Sequence, residues 1–268
     1  MSGLPSPGAD RTCLITGASS GIGADLAREL ARRGHGVTLV ARRKARLTEL
    51  ADELIEEHGV RADTAACDVT KPAARGRLIK TVADRGLTVE VLVNNAGFGS
   101  GGPFWELDAE REAGMVQTNV EAVVALSRAY LPEMVARGRG AILNLGSTIS
   151  FQPVPFQTTY GATKAFVLSF TEALHEELRG TGVTVSALCP GPVRTEFGET
   201  GGFGGADEAI PSFMWLASED VARAGVDGLD KGERVVVPGV LNRAQSIGGR
   251  LMPRWALLPL ARRVWPVS

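Results

Sequence analysis

The sequence predicts one α/β domain: a doubly wound parallel sheet of about seven strands with helices on both faces. Three observations carry this. From residue 11 to residue 238, short β-branched runs alternate with longer stretches of helical periodicity. The stretches between strands have the length that a parallel crossover requires, about a dozen residues or more. No Pro/Ser-rich linker divides the run. Residues 11–238 therefore read as a single unit, with a flexible arm over 1–10 before it and a basic, apolar tail over 239–268 after it.

In chain order, residues 12–16 form the first strand and 21–33 the first helix, with Ile22, Leu26 and Leu30 on one face. Residues 36–41 are the second strand, and the helix Lys44–His58 stops at Gly59. Further strands are expected over 62–67, 89–93, 141–145, Val183–Leu188 and 234–237, with helices over 72–85, 109–137 and 159–179. Two stretches break the rhythm. Residues 192–217 open with Gly198, Gly201, Gly202, Gly204 and Gly205 and then turn apolar and aromatic, the composition of a substrate lid. The last 35 residues hold Arg234, Arg243, Arg250, Arg254, Arg262 and Arg263 and no acid.

Composition excludes several roles. The 29 Lys and Arg nearly balance the 30 Asp and Glu, so the chain has no global field for nucleic acid. An apolar content of 44% rules out wholesale disorder. Cys13, Cys67 and Cys189 lie in separate apolar segments with no CxxC pair and no neighbouring histidine, so no metal site is expected. His35, His58 and His175 read as structural or solvated. Three such thiols suit a reducing compartment. No run of about 18 apolar residues predicts a spanning helix, and residues 1–10 lack a signal core; the expectation is a soluble, cytoplasmic protein.

Residues 16–23, Thr-Gly-Ala-Ser-Ser-Gly-Ile-Gly, join the first strand to the first helix. Gly17, Gly21 and Gly23 allow a tight turn and close approach to a pyrophosphate, with Ser19, Ser20 and Ile22 between them at a helix N-terminus. An ordinary tight turn has the same composition. Its position in the first strand-to-helix connection is where an open α/β sheet places a dinucleotide. The second strand ends at Ala41-Arg42-Arg43, about 20 residues on, where a carboxylate would accept from an adenosine ribose hydroxyl. Ala41 cannot do so, whereas Arg42, with Arg43 beside it, offers a planar fork to a 2′-phosphate. This predicts NADP(H) in preference to NAD(H). The other reading is a solvated arginine pair at a strand end.

Tyr160 and Lys164 stand four residues apart and share a helix face. A phenol titrates near pH 10, and a nearby ammonium favours its ionised form. Bringing Tyr160 near neutrality requires roughly 3–4 kcal/mol from Lys164 and its surroundings, with solvent exclusion expected to assist. Such pairs are common on plain helices. Ser147, closing the fifth strand at the carboxyl edge of the sheet, adds a hydroxyl able to hold a substrate oxygen.

Together these features resemble the classical short-chain dehydrogenase/reductase family. Residues 16–23, Asp68-Val69, Asn94-Asn95-Ala96-Gly97, Asn119, Ser147, 160–164 and Pro190-Gly191 occur in family order over about residues 11–197. Residues 40–43 with Arg46-Leu47 resemble a bacterial NADP-dependent subgroup. The resemblance implies a Rossmann-type fold with Tyr160 as general acid/base and Ser147 holding the substrate oxygen. Lys164 would lower the tyrosine's pKa and bind the nicotinamide ribose, and Asn119 would anchor a proton-relaying water. Asp68 would contact adenine with Val69 beside it. Asn95, Ala96 and Gly97 would line the crevice, and Pro190, Gly191, Val193 and Thr195 would face the nicotinamide carboxamide and phosphates. Thr163 stands where the family often has serine and keeps the hydroxyl.

The expected reaction is hydride transfer between NADP(H) and a carbonyl or secondary alcohol. Aromatic residues over 98–104 and 151–156, with Phe197, Phe203, Phe213, Met214 and Trp215, favour a hydrophobic substrate. A non-catalytic dinucleotide-sensing regulator is the alternative, and its relatives would lose part of the Tyr/Lys/Ser set. An extended-branch epimerase would show a different glycine spacing and a larger C-terminal part. Family members are commonly homodimers or homotetramers, with 109–137 and 159–179 as candidate contacts. The stretch 251–267 mixes Trp255, Leu257, Leu258, Leu260 and Trp265 with Arg254, Arg262 and Arg263. It suits a packed tail, an oligomer contact or a peripheral membrane contact, while Pro253, Pro259 and Pro266 limit any continuous helix.

Overall fold

The structure, a computed structural model, describes residues 3–201 and 212–264. Strands β1 (Arg11–Thr16), β2 (Val37–Ala41), β3 (Ala62–Ala66), β4 (Thr88–Asn94), β5 (Gly140–Leu145), β6 (Val183–Leu188) and β7 (Val235–Val236) pair in parallel as one sheet, ordered β3-β2-β1-β4-β5-β6-β7. Alternate residues of each central strand serve opposite layers. Cys13 and Ile15 of β1 join Leu39 of β2 under α1 (Gly21–Arg32), α2 (Lys44–His58) and α8 (Ser218–Asp230). Leu14 and Val40 point the other way, onto α3 (Pro72–Asp84), α5 (Ala122–Arg137) and α6 (Thr158–Glu177). Burial on both faces explains why the strands read as continuous apolar runs.

Helix ends follow local chemistry. Leu26 and Leu30 are fully buried on one face of α1, and Gly59 ends α2 in the left-handed conformation that costs glycine nothing. β7 is shorter than expected and stops ahead of Pro238, which cannot donate to a ladder.

Three features differ from the sequence-based expectation. The helix over 109–137 is continuous, but a π-turn, Gln117–Glu121, separates α4 (Ala109–Val116) from α5. Residues 3–10 are anchored and not a free arm: the Leu4 N–H donates to Asp230 at 2.8 Å, and Leu4 packs on the core. The tail folds as α9 (Val240–Leu251) and α10 (Arg254–Val264), with Pro253 between them and Pro259 accommodated inside α10. In the expected lid, α7 (Glu196–Gly201) and a short 3-10 turn, Ser212–Met214, are formed. Gly202, Phe203, Gly204, Gly205, Trp265 and Pro266 lie outside the described residues.

Candidate active site

β1 and β4 are neighbours, yet their connections leave toward opposite flanks of the sheet, which opens a crevice at their carboxyl ends. The turn after β1 forms one wall. Gly17 and Gly21 have φ of 70° and 53°, and a Cβ on Gly23 would lie 2.4 Å from the Gly17 carbonyl oxygen. Ser20 caps α1 without accepting from the helix's own N–H groups, and the first turn carries no acid, so the positive end of the helix faces the turn. The Ile22 side chain packs on the core, so only its backbone faces the turn. Thr195 lies across from Gly21, where an added Cβ would meet its Cγ2 at 3.0 Å.

Asn95 and Ala96, after β4, brace that turn. The Asn95 side chain donates to the Thr16 carbonyl at 2.9 Å, while the backbone N–H groups of both residues donate to Thr16 Oγ1 at 3.0 Å. Asn95 thus positions the loop. Gly97 leaves room for its neighbours: a Cβ there would lie 3.0 Å from Asn119 Oδ1 and 3.7 Å from Lys164 Nζ.

The residues expected to be catalytic converge at the end of β5. Ser147 has its Oγ bonded by the Ile149 N–H at 3.2 Å and also hydrogen-bonds the Tyr160 hydroxyl. Lys164 Nζ donates to the Leu145 carbonyl at 2.7 Å and sits 5.8 Å from the Tyr160 ring centre. Phe197 covers Tyr160 with ring centres 5.6 Å apart. Asn119 occupies the π-turn and is almost completely buried; its amide brackets the Phe98 peptide, accepting from N–H at 3.2 Å and donating to C=O at 3.0 Å. Its Nδ2 also donates to Thr163 Oγ1 at 3.1 Å, which gives the retained hydroxyl a use.

The electrostatics correct one expectation. Burial pushes the Tyr160 phenol above its usual range, with the Ser147 bond pulling the other way. Burial brings the Lys164 ammonium down to about 8. Solvent exclusion therefore opposes phenolate formation, because a charged oxygen loses more hydration than a neutral one. Cys189 lies behind the set, against Gly146, and burial pushes its thiol up to about 12, so it is inert packing.

The arginine corner after β2, expected to meet a 2′-phosphate, also differs in detail. Arg43, and not Arg42, is the residue bound to the turn: it donates to Ser19 Oγ at 3.0 Å and to Ser20 Oγ at 2.6 Å. Its third partner is Glu196 at the start of α7, at 2.8 Å, and Arg46 holds the other oxygen of that carboxylate. The two arginines bring the Glu196 carboxyl down to about 2. Arg42 is exposed and contributes charge toward Asp68. Glu196 is not conspicuous in sequence, since its pairing with Arg46 crosses 150 positions.

Asp68 Oδ1 accepts from Thr70 N and Oγ1 at 3.0 and 2.8 Å; against the cost of burial, these bonds hold the carboxyl below its usual range. Val69 belongs to the core layer beneath. Pro190 accepts from the Thr148 N–H at 2.9 Å, which ties the β6 end to the Ser147 turn. Gly191 abuts Asn242 of α9, and Val193 packs on the core and pairs with Leu216. Among the described residues no group of His, Cys, Asp or Glu suits a metal, and no helix is long and apolar enough to cross a membrane.

The family model for short chain dehydrogenases matches residues 11–201. Sulfoacetaldehyde reductase 2 of Chromohalobacter salexigens is 41% identical over 214 residues, 78% of this chain and 84% of that protein. The NADP-dependent 3-hydroxy acid dehydrogenase of Escherichia coli K12 is 38% identical over 216 residues, 79% of this chain and 86% of its own. Among solved structures, a short-chain dehydrogenase from Sphingobium yanoikuyae in complex with NADPH superposes with a TM-score of 0.79 at 37% identity, covering 94% of both chains. A bulky-bulky ketone specific alcohol dehydrogenase from Comamonas testosteroni gives 0.74 at 34% identity, covering 94% of this chain and 92% of that one.

Proposed function

This chain belongs to the short-chain dehydrogenase family, and from that premise we propose that it is an NADP(H)-dependent carbonyl reductase or alcohol dehydrogenase acting on a hydrophobic ketone, aldehyde or acyl substrate. The observation that carries the proposal is the Tyr160–Ser147 hydroxyl pair, buried at the end of β5 with Lys164 one helical turn along. The turn at Gly17–Gly23 suits a pyrophosphate, and Arg43 with Ser19 and Ser20 forms a donor set for a 2′-phosphate. Asp68 and Val69 would border adenine, Lys164 the nicotinamide ribose, and Thr195 the phosphates. NADPH-bound and NADP-dependent relatives support this choice over NAD(H).

When bound, NADPH supplies hydride to the carbonyl carbon. Ser147 and Tyr160 polarise the carbonyl oxygen from one side. Burial keeps Tyr160 protonated at neutral pH, so it holds the proton that the developing alkoxide accepts. Lys164 retains most of its charge at pH 7 and holds the Leu145 carbonyl at the end of β5. Phe197, its ring centre 5.6 Å from that of Tyr160, furnishes one apolar wall, and we take Phe98, Phe151 and Phe156, in the segments that follow β4 and β5, to extend it. This supports a hydrophobic substrate, in line with the ketone-specific relative. The lid over 192–217, the single catalytic unit 11–238 and the distinct tail remain part of this reading. We place the protein in the cytoplasm, which suits three free, buried thiols. We assign it a homodimer or homotetramer through the α4–α6 face, where Val116, Val124 and Phe166 are exposed.

Tyr160→Phe tests the proposal in an NADPH-oxidation screen over aryl and long-chain ketones, with polyols as controls. Turnover is expected to fall at least 10²–10⁴-fold with NADPH binding retained. A wild-type chain that binds NADPH and reduces no carbonyl would favour the dinucleotide-sensing regulator instead.

A further inference from the structure

Of the two tail helices, α9 is built inside out, and α10 exposes more apolar surface than it buries. α9 buries Asn242, Ser246 and Gly249, the small and polar positions of its sequence, against the body. Its large apolar residues face outward: Val240 is 87% exposed and Leu251 76%. α10 buries Leu257 and Ala261 and exposes Trp255, Leu258 and Leu260, with Trp255 at 81%. Eight of the sixteen large hydrophobic residues exposed among the described residues fall within 240–260. Single exposed hydrophobics need no explanation, but eight of them along two consecutive helices do.

Charge identifies what this face meets. The stretch from Arg234 onward carries six arginines and no acid, a formal +6, while residues 1–233 carry −7. Arg234 and Arg250 lie 3.3 and 3.7 Å from Glu172. No described carboxylate pairs with Arg243, Arg254, Arg262 or Arg263. A two-fold contact between two tails would gather these arginines from both copies into one interface with no tail carboxylate to neutralise them. A surface of fixed negative charge with an apolar interior matches both halves of the pattern, and tryptophan favours the boundary between them. The acidic body would turn away from such a surface while the tail turns toward it.

We infer that α9 and α10 form a docking face for an anionic phospholipid surface. The helix α9, which carries part of this face on its outer side, borders the crevice with its inner side. α9 rests on the turn that follows Ser147: Asn242 is seated against Gly191, and a Cβ at Gly249 would come within 2.4 Å of Gln152. Docking would then hold the crevice close to a bilayer in which a hydrophobic carbonyl compound dissolves; that consequence rests on the proposed function, whereas the docking does not.

The test is co-sedimentation of the full chain with sucrose-loaded vesicles of equal parts phosphatidylglycerol and phosphatidylcholine, against phosphatidylcholine alone. Binding is expected to the anionic vesicles only, and to be reversed by salt. Replacing Arg254, Arg262 and Arg263 by Gln should lower partitioning roughly a hundredfold, from about fivefold per charge. Leu251→Glu with Trp255→Glu should abolish it, with an unchanged melting temperature reporting an intact fold. As a check independent of these variants, the wild-type tryptophan emission should shift to the blue on anionic vesicles, and Trp255→Phe should remove most of the shift. Absence of binding, binding equal on neutral vesicles, or variants that bind like wild type would overturn the inference. So would a dimer in light scattering that Leu251→Glu with Trp255→Glu splits, since a second copy would then own the face.

Discussion

Lys164 shows how burial couples function to stability at a single residue. Its ammonium ordinarily titrates at 10.5, and burial brings it to about 8. Between those values the native state binds fewer protons than the unfolded chain, so stability rises with pH across the window. Below pH 8 the buried charge is a standing cost, about 3 kcal/mol at neutral pH. Lys164→Met should therefore raise Tm at pH 7 and lose that advantage as pH climbs from 8 toward 10.5, while abolishing turnover. A variant that melts lower than wild type at pH 7 would show that the bond to the Leu145 carbonyl outweighs desolvation. In the wild type, kcat/KM should decline above pH about 8 as the ammonium is lost. Glu196 poses a second residue-scale question. Its carboxylate sits on Arg43 and Arg46, the cations nearest the proposed 2′-phosphate position, and would compete for them. Because the pairs are about half exposed, the effect is small: Glu196→Gln should tighten NADPH binding roughly two- to fivefold and leave NADH binding unchanged. Calorimetry with both nucleotides checks this, and an equal change for both would count against it.

At the scale of elements, the strands and most helices were legible because parallel strands buried on both faces leave uninterrupted apolar runs, and most predicted boundaries lie within one residue of those observed. The π-turn at Gln117–Glu121 was not. Its residues fit an ordinary helical period, and only the position of Asn119 against the Phe98 peptide reveals the extra residue in the turn. Asn119 could be read as a site residue by resemblance, but its geometric task could not. Asn119→Ala would leave both polar groups of the Phe98 peptide without their partner. The expected cost is about 1–3 kcal/mol, seen as a lower denaturation midpoint, with kcat reduced through the Gly97 wall. A variant of wild-type stability would indicate that the peptide finds other partners. The outward face of α9 was illegible for a related reason: a helical period announces an apolar stripe and assumes that it faces inward. Here the inward face is Asn242, Ser246 and Gly249, chosen by how closely α9 approaches Gly191 and Gln152.

For the whole molecule, the consequential fact is that the crevice lies where the sheet changes winding direction, between the β1–β3 half and the β4–β7 half. The two halves meet there through β1–β4 pairing and through the Thr16–Asn95 bonds. A dinucleotide seated on the Gly17 turn and reaching Lys164 would touch both, and a ligand that binds only the folded chain stabilises all of it by mass action. With NADPH at a hundredfold excess over its Kd, the gain is about 2.7 kcal/mol, or roughly 5–10 °C in Tm for a domain of this size. NADH at the same concentration should give a smaller shift, because the donors on Arg43, Ser19 and Ser20 have no 2′-phosphate to meet. Tyr160→Phe should keep the NADPH shift, since the phenol acts on substrate. Arg43→Ala should reduce it toward the NADH value, and Arg42→Ala should reduce it less. The last comparison separates the two readings of this corner: sequence order favours Arg42, whereas the hydrogen bonds favour Arg43. Equal losses for the two variants would return Arg42 to the cofactor site, and an NADH shift as large as that of NADPH would remove the 2′-phosphate assignment altogether.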